Sequence, residues 1–234
     1  MFKHQPWQNL LLSGCLPVSI IVPVAFLFTK NIMLSVLIGS TSALVILLTL
    51  FIINPSRQLF PGKRTKPAVV FLTGLSGAGK TTIAKSVISR LRKNGTEPVL
   101  LDGDEIRNIL HLTGFDEASR KKHNLNIGFM AGTLEAKGNL VIVSLIAPYE
   151  DTRLQIRQLC NRYIEVYVST PLETCIQRDS KGLYKKALRG EIAEFTGISA
   201  PYQPPSHPDI MLDTSVLTVE ECSHRIIVAL NKLS

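Results

Sequence analysis

The chain has 234 residues and a formal charge of +8 at pH 7, from 26 lysines and arginines against 18 aspartates and glutamates. This length fits one domain of ordinary size plus an appendage. The basic residues form no long block interleaved with aromatic ones, which excludes a nucleic-acid groove as the main function. The four cysteines lack CxxC or Cys/His spacing and indicate neither a zinc site nor a disulfide framework. The positive charge fits either a surface facing anionic lipid or a cleft that attracts a nucleotide.

Residues 1–56 are predicted to form a membrane anchor with two transmembrane helices. Residues 10–29 and 31–56 contain no charged side chain. Each stretch reaches the ~20 apolar residues that are needed to cross a bilayer. Because only a short turn around Lys30 separates them, a helical hairpin is the expected arrangement. The alternative for the first stretch is a signal peptide with Lys3 as its basic region.

Basic residues set the expected orientation of this anchor. Arg57, Lys63, Arg64 and Lys66 follow the second apolar stretch, and an excess of lysine and arginine marks the cytoplasmic side. We therefore predict an integral protein of the inner or plasma membrane, with its catalytic domain in the cytoplasm. A linker over residues 57–67 and a single domain over residues 68–234 complete the predicted organisation.

A strand, a glycine-rich loop and a helix are predicted to follow one another at the start of this domain. The strand is AVVFLT, Ala68–Thr73, and the loop GLSGAGKT has the G-x-x-x-x-G-K-[ST] spacing of a P-loop. Glycines let backbone N–H groups surround phosphates, and the helix N-terminus adds a positive dipole end. We expect Lys80 to reach the β- and γ-phosphates and Thr81 to hold Mg²⁺. The predicted ATP-binding residues are Gly74, Leu75, Ser76, Gly77, Ala78, Gly79, Lys80, Thr81 and Thr82.

The rest of the domain alternates between predicted strands and helices. The strands are expected at residues 98–101, 139–146, 163–168 and 210–212, and the helices at residues 105–111, 117–137, 151–161, 172–178 and 219–230. This alternation predicts an α/β fold of the P-loop NTPase type, a three-layer parallel sheet with helices on both faces. Ligands are expected beyond the carboxyl ends of the strands.

Two further stretches contain residues that are suited to catalysis or to closing the site. Asp102 and Asp104 follow the second predicted strand, where carboxylates can coordinate Mg²⁺ or accept a hydroxyl proton; alone, they could also form a solvated turn. Residues 180–208 are rich in basic, glycine and proline residues. They are predicted to form a lid that closes over the nucleotides, with an exposed loop or a basic helix as the alternative.

Taken together, these motifs resemble the adenylyl-sulfate kinase family. The matching strings are GLSGAGKTTIA, LDGD, TGF, IAPY, RDSKGLYKKALRGEI, FTGI and LDT, in intact order from Lys66 to the C-terminus. The resemblance implies transfer of the ATP γ-phosphate to the 3′-hydroxyl of adenosine 5′-phosphosulfate. It also implies that Lys80, Asp102 and Asp104 are catalytic, that Thr81 and Asp102 hold Mg²⁺, and that Phe115 and Phe195 sandwich the acceptor adenine. The implied acceptor-binding residues are Arg107, Phe115, Arg120, His123, Asn124, Lys181 and Phe195, and Lys185 and Lys186 would join Lys181 in the lid.

Several positions depart from the family pattern. The family has asparagine three residues after the position of Arg120, followed by Ile-Arg-Arg, whereas this chain has His123, Asn124, Leu125 and Asn126. Glu105 replaces a usual asparagine, and Glu150 replaces a frequent basic residue. Ala147 stands where some members carry a serine implicated as a phosphoenzyme site, so direct in-line transfer is predicted.

These departures leave alternative functions open. The first is a related P-loop kinase that acts on another 5′-substituted nucleotide, or on a small molecule for surface-polysaccharide modification. The others are a non-catalytic nucleotide-binding module and a transporter subunit. The expected partners are ATP and adenosine 5′-phosphosulfate, the membrane, and a sulfotransferase or polysaccharide assembly machinery, with a homodimer suggested by the family.

Overall fold

The computed structural model describes residues 66–111 and 113–233. Within these residues, no helix is both long enough and apolar enough to cross a membrane. The longest described helix, Glu117–Ala136, carries charged side chains throughout its first two turns. Charged side chains are energetically costly in the core of a bilayer. The predicted integral-membrane localisation is therefore wrong for this part of the chain. The two apolar stretches on which it depended, residues 10–29 and 31–56, lie outside the described residues.

The centre of the fold is a five-stranded parallel sheet. Its strands are β1 (Ala68–Thr73), β2 (Val99–Asp102), β3 (Leu140–Ser144), β4 (Tyr163–Val168) and β5 (Ile210–Leu212), arranged in the order β2-β3-β1-β4-β5. Every pairing between neighbouring strands is parallel. All six residues of β1 are buried, as expected for a central strand that is covered on both faces. The predicted parallel α/β sheet is confirmed.

Seven helices occur among the described residues. They are α1 (Lys80–Lys93), α2 (Gly103–Ile109), α3 (Glu117–Ala136), α4 (Glu150–Gln158), α5 (Leu172–Arg178), α6 (Leu183–Leu188) and α7 (Val219–Lys232). The helix after β2 begins two residues earlier than predicted, because the Asp102 side chain accepts from the backbone N–H groups of Asp104 and Glu105 and caps the helix. Helix α6 falls inside the predicted lid and was not predicted as a separate element.

Two apolar cores cover the two faces of the sheet. Successive side chains of a strand point to opposite faces, so Val70 of β1 packs in the core that contains α1 and α7. Val69 packs in the other core, which contains α3 and α4. The sheet therefore lies between two helical layers, and the carboxyl ends of β1, β2 and β3 meet along one edge.

The loop after β1 turns sharply at this edge. Gly74 has φ +149°, and a Cβ there would come within 2.5 Å of the Val168 carbonyl oxygen at the end of β4. Only glycine allows so close an approach between the two strand ends. The chain can therefore leave the sheet between β3 and β4 and wrap into the glycine-rich loop.

Candidate active site

A cleft of about 740 Å³ opens beyond the carboxyl ends of the strands. It is lined by the glycine-rich loop and the start of α1, by residues that follow β2 and β3, and by parts of α3, the lid and the start of α7. Lys80 and Asp104 both line it, so the predicted anion cradle and the acidic pair share one cavity. This is the location where a parallel α/β sheet usually binds its ligands.

The glycine-rich loop provides one wall of the cleft. Gly77 and Gly79 have φ +73° and +101°, the left-handed conformation that turns backbone N–H groups inward. Lys80 is buried, and its Nζ donates to the Leu75 carbonyl oxygen at 2.8 Å. Burial lowers the pKa of Lys80 to about 8, while the negative charge of Asp104 acts in the opposite direction. A phosphate in the loop would favour the charged form of this lysine.

Of the nine predicted ATP-binding residues, six line the cleft: Ser76, Gly77, Gly79, Lys80, Thr81 and Thr82. The side chains of Leu75 and Ala78 pack instead with the core that contains α1. Gly74 forms the turn out of β1. The residues that do not line the cleft therefore set the shape of the loop.

Three side-chain oxygens meet at the base of this loop. The Thr81 hydroxyl donates to Asp102 Oδ2 at 2.8 Å and lies 3.1 Å from Ser144 Oγ. The pairing of β2 with β3 places Asp102 directly opposite Ser144. A carboxylate and two hydroxyls are hard oxygen ligands of the kind that Mg²⁺ prefers, together with water and substrate phosphates. Ser144 was not predicted, because a single serine at a strand end carries no sequence signal.

Asp104 lies across the cleft from the glycine-rich loop. It is the second residue of α2, and its backbone N–H donates to Asp102 Oδ1 at 3.0 Å. Its carboxylate forms an ion pair with Lys181 of the lid. Lys181 therefore reaches the cleft as predicted, whereas Lys185 and Lys186 are exposed and do not line it.

Phe115 offers an aromatic face between two arginines. Its ring is about half exposed, with the Arg107 guanidinium carbon 4.7 Å and that of Arg120 5.9 Å from the ring centroid. Arg107 also donates to the Gly114 carbonyl at 2.7 Å. All three side chains line the cleft, and their role in binding an anionic nucleotide stays a prediction.

Phe195 corrects one prediction. It does not line the cleft but packs in the core, with its ring edge-on to Tyr184 at a centroid distance of 4.9 Å. The hydroxyl of Tyr184 in turn donates to the Ser76 carbonyl at 2.9 Å. The predicted aromatic sandwich is therefore not assembled here, because Phe195 is used to attach the lid to the glycine-rich loop.

His123 and Asn124, adjacent on α3, are both buried and line the cleft. His123 Nε2 lies 3.2 Å from the Gly103 carbonyl oxygen. Because a carbonyl can only accept, Nε2 carries the proton and Nδ1 is left as an acceptor. Within the described part of the chain, neither His123 Nδ1 nor Asn124 Nδ2 has a hydrogen-bond partner. One unsatisfied acceptor and one unsatisfied donor thus lie beside the arginines.

The burial of His123 makes the free energy of unfolding depend on pH. Burial first, and the positive charge of Arg107 second, lower the pKa of His123 to about 4 from its usual 6.5. Between these values the unfolded chain binds the proton and the folded chain does not. We therefore expect stability to be lost as the pH falls from about 6.5 towards 4, by about 2–3 kcal/mol for this group. Denaturant unfolding of the wild type and of His123→Asn at a series of pH values isolates the contribution of His123. The contributions of all other titratable groups are the same in both proteins and cancel in the difference. Equal pH dependence in both proteins would contradict the assignment.

Apart from Ala147, which lines the cleft, the other departures from the family pattern lie outside it. The side chains of Glu105, Leu125, Asn126 and Glu150 do not line it. Glu150 instead accepts from the Ser206 backbone N–H at 2.9 Å. Of the positions that depart from the family pattern, His123, Asn124 and Ala147 line the cleft.

The far end of the cleft was not predicted in detail. Arg178 donates to the Thr214 hydroxyl at 2.6 Å and to its carbonyl oxygen at 2.7 Å. Leu217 and Val219 line the cleft beside this pair. The family-like strings RDSKGLYKKALRGEI, which begins at Arg178, and LDT, which ends at Thr214, were the available sequence signals.

Comparisons with known proteins agree with this geometry. The adenylylsulphate kinase family model matches residues 66–213, more than half of the chain. An adenylyl-sulfate kinase from Chloroflexus aurantiacus is 48% identical over 168 residues, which cover 70% of this chain and 89% of that protein. An adenylyl-sulfate kinase from Synechococcus sp. is 44% identical over 164 residues, which cover 69% of this chain and 92% of that protein.

A solved structure is also similar. The Mycobacterium tuberculosis APS kinase, in complex with AMPPNP and APS, has a TM-score of 0.68 and 37% identity, covering 71% of this chain and 98% of that one. Because the family match begins at residue 66, it lends no support to the anchor that we predicted over residues 1–56. The chain is therefore a P-loop kinase and belongs to the adenylylsulphate kinase family.

Proposed function

We propose that this chain transfers the γ-phosphate of ATP to the 3′-hydroxyl of adenosine 5′-phosphosulfate, giving 3′-phosphoadenylyl sulfate. The observation that carries the proposal is that Lys80 and Asp104 line one cleft, together with an arginine- and aromatic-lined pocket, in a chain of this family. Transfer is direct and in line. At position 147, where some relatives have a serine, the alanine offers no hydroxyl to carry a phosphate.

The donor nucleotide occupies the half of the cleft formed by the glycine-rich loop. Inward N–H groups and the N-terminus of α1 bind the phosphates, and Lys80 neutralises charge on the γ-phosphoryl group during transfer. The nucleoside extends towards Arg178, Thr214 and Leu217, where a guanidinium and an apolar side chain provide a surface for a purine ring.

Thr81, Asp102 and Ser144 would hold Mg²⁺. The Thr81 hydroxyl lies within hydrogen-bond distance of the Asp102 carboxylate and of the Ser144 hydroxyl, and the chemistry of the three groups fits this ion. When bound, the ion supplies positive charge to the β- and γ-phosphate oxygens. Asp102 also caps α2 and so sets the position of Asp104.

The acceptor nucleotide occupies the other half. Its base stacks on Phe115, a contact worth ~1–3 kcal/mol. Arg107 faces its anionic phosphosulfate. Arg120, whose guanidinium donates to the Phe115 and Glu194 carbonyls and to the Thr196 hydroxyl, adds positive charge nearby. His123 Nδ1 accepts from a hydroxyl or amino group of the ligand, and Asn124 Nδ2 donates to it. Binding would satisfy the two buried polar atoms that otherwise cost free energy.

Asp104 accepts the proton of the attacking hydroxyl. Its carboxylate forms an ion pair with Lys181, so the lid lysine lies beside the group that acts as general base. The same lysine moves with the lid, so that closure brings positive charge to the transferred phosphoryl group and excludes water. A homodimer and a downstream sulfotransferase partner stay predictions from the family and from the product.

An assay of the purified chain with ATP tests this function. The acceptors are adenosine 5′-phosphosulfate, AMP, adenosine, and a panel of other 5′-substituted nucleotides and sugars, with product position identified by phosphorus NMR. We expect the highest kcat/KM for adenosine 5′-phosphosulfate and a 3′-phosphorylated product. Higher kcat/KM for another acceptor, or no transfer to this one, would overturn the proposal.

A further inference from the structure

Arg153 is a buried charged side chain outside the residues that line the cleft. It lies on α4 and is 1% exposed. Its guanidinium donates in three directions: to Glu165 Oε1 at 3.1 Å, to the Ala147 carbonyl at 2.8 Å and to the Gln203 carbonyl at 2.7 Å. A buried ion pair is seldom more stabilising than apolar side chains of the same volume. Stability alone therefore gives no reason for an arginine here.

The first backbone group to which Arg153 donates belongs to residues 146–148, which we call the wall. Residues 146–148 line the cleft directly after β3, and the sheet order places the end of β3 between β1 and β2. The wall thus lies between the glycine-rich loop and Asp104. Ala147 has φ +43°, a left-handed conformation that costs a residue with a side chain about 1–3 kcal/mol. Such a peptide keeps its place only when surrounding bonds hold it.

The second backbone group belongs to the end of the lid. We define residues 202–206 as the strap. The Gln203 N–H donates to the Pro148 carbonyl at 2.8 Å, and its side-chain Oε1 accepts from the Glu150 N–H at 2.9 Å. The Ser206 N–H then donates to the Glu150 carboxylate at 2.9 Å. The strap is therefore attached along the outside of the wall.

Arg153 donates to a backbone carbonyl of the wall and to one of the strap. The Thr73 hydroxyl also reaches both segments, since it donates to the Ile146 carbonyl at 2.7 Å and lies 3.0 Å from the Tyr202 hydroxyl. Because the third bond of Arg153 goes to Glu165 on β4, the sheet acts as a fixed base for both segments. A planar guanidinium directs its donors from three separate nitrogens, whereas an ammonium has all of its donors on one tetrahedral nitrogen.

We propose that Arg153 is a positioning residue that fixes the wall and the strap relative to each other. It thereby shapes the half of the cleft that binds the acceptor and does not affect the half that binds ATP. The inference rests on the proposed function, since it assigns the wall to acceptor binding. It involves no contact between Arg153 and either substrate.

The test uses Arg153→Lys in the full chain, with KM for the acceptor, kcat, and the dissociation constant of an ATP analogue measured separately. We expect the acceptor KM to rise about tenfold or more, since small misplacements at a reacting centre have large effects, and analogue affinity to stay within about twofold. Glu165→Gln is the matched control. It weakens the ion pair but leaves the bonds to Ala147 and Gln203, so it should lower thermal stability without changing the acceptor KM.

Gln203→Ala provides the second variant if Arg153→Lys does not fold. It removes the contact between the strap and the Glu150 N–H at the start of α4, directly after the wall. We expect the acceptor KM to rise, but by less than in Arg153→Lys. Unchanged acceptor KM in a folded Arg153→Lys or in Gln203→Ala would overturn the inference. So would parallel loss of acceptor and ATP-analogue affinity in Arg153→Lys. An inactive wild type would instead refute the proposed function.

Discussion

Replacing Lys80 with alanine should lower kcat about 10²–10³-fold, the effect of removing one preorganised donor from a developing oxyanion. Lys80 is buried between the glycine-rich loop and Asp104, and burial lowers its pKa to about 8. Its charge therefore acts in a site where water screens little. Steady-state kinetics at saturating acceptor, with ATP-analogue affinity measured by calorimetry, separate the loss in turnover from the loss in binding.

Lys85→Ala is the control for this experiment. It removes the same type of side chain from the same helix, but Lys85 does not line the cleft. It should leave kcat unchanged. If Lys80→Ala phosphorylated the acceptor at a near-normal rate, the assignment of the donor site to this loop would fail.

Replacing Asp104 with asparagine should reduce kcat about 10²–10⁴-fold, the usual contribution of a general base. Asparagine keeps the shape and the backbone position but cannot accept the hydroxyl proton. Affinity for the ATP analogue should stay within a few fold, because the phosphates lie on the opposite wall. Single-turnover kinetics measure the chemical step directly.

Glu105→Gln is the matched control, one residue further along α2. It makes the same change of charge, but Glu105 does not line the cleft. Its kinetics should equal those of the wild type. Equal losses of turnover and ATP-analogue affinity in Asp104→Asn would assign a structural role to this aspartate instead.

The glycine-rich loop and the parallel sheet could be predicted because residues close together in sequence determine them. The strand, the loop and the start of α1 are continuous in sequence, and the positive φ at Gly77 and Gly79 admits few other residue types. Alternation of strands and helices then leaves little choice of fold class. Asp102 and Asp104 were predicted from their place after a strand.

The lid and its attachments could not be predicted in the same way. Whether Phe195 stacks on a ligand or on Tyr184 depends on the packing of the lid, and adjacent residues do not determine that packing. The same holds for Ser144, which acquires a role only when β2 pairs with β3. Arg153 was overlooked because its three partners come from separate segments of the chain.

The departures from the family pattern also required the structure. In sequence, His123 and Asn124 were implied acceptor-binding residues in a stretch that departs from the family pattern. The fold places both side chains in the cleft, whereas Leu125 and Asn126 do not line it. The expectation of an integral membrane protein depended on hydropathy in residues that the structure does not describe, and no described helix supports it.

A crystal structure of the chain with a non-hydrolysable ATP analogue and adenosine 5′-phosphosulfate tests the account most directly. We predict the triphosphate on residues 74–82, the acceptor base on Phe115, and the 3′-hydroxyl about 3 Å from the Asp104 carboxylate, in line with the γ-phosphate. An acceptor bound outside this cleft, or with a different hydroxyl facing the phosphate, would contradict it.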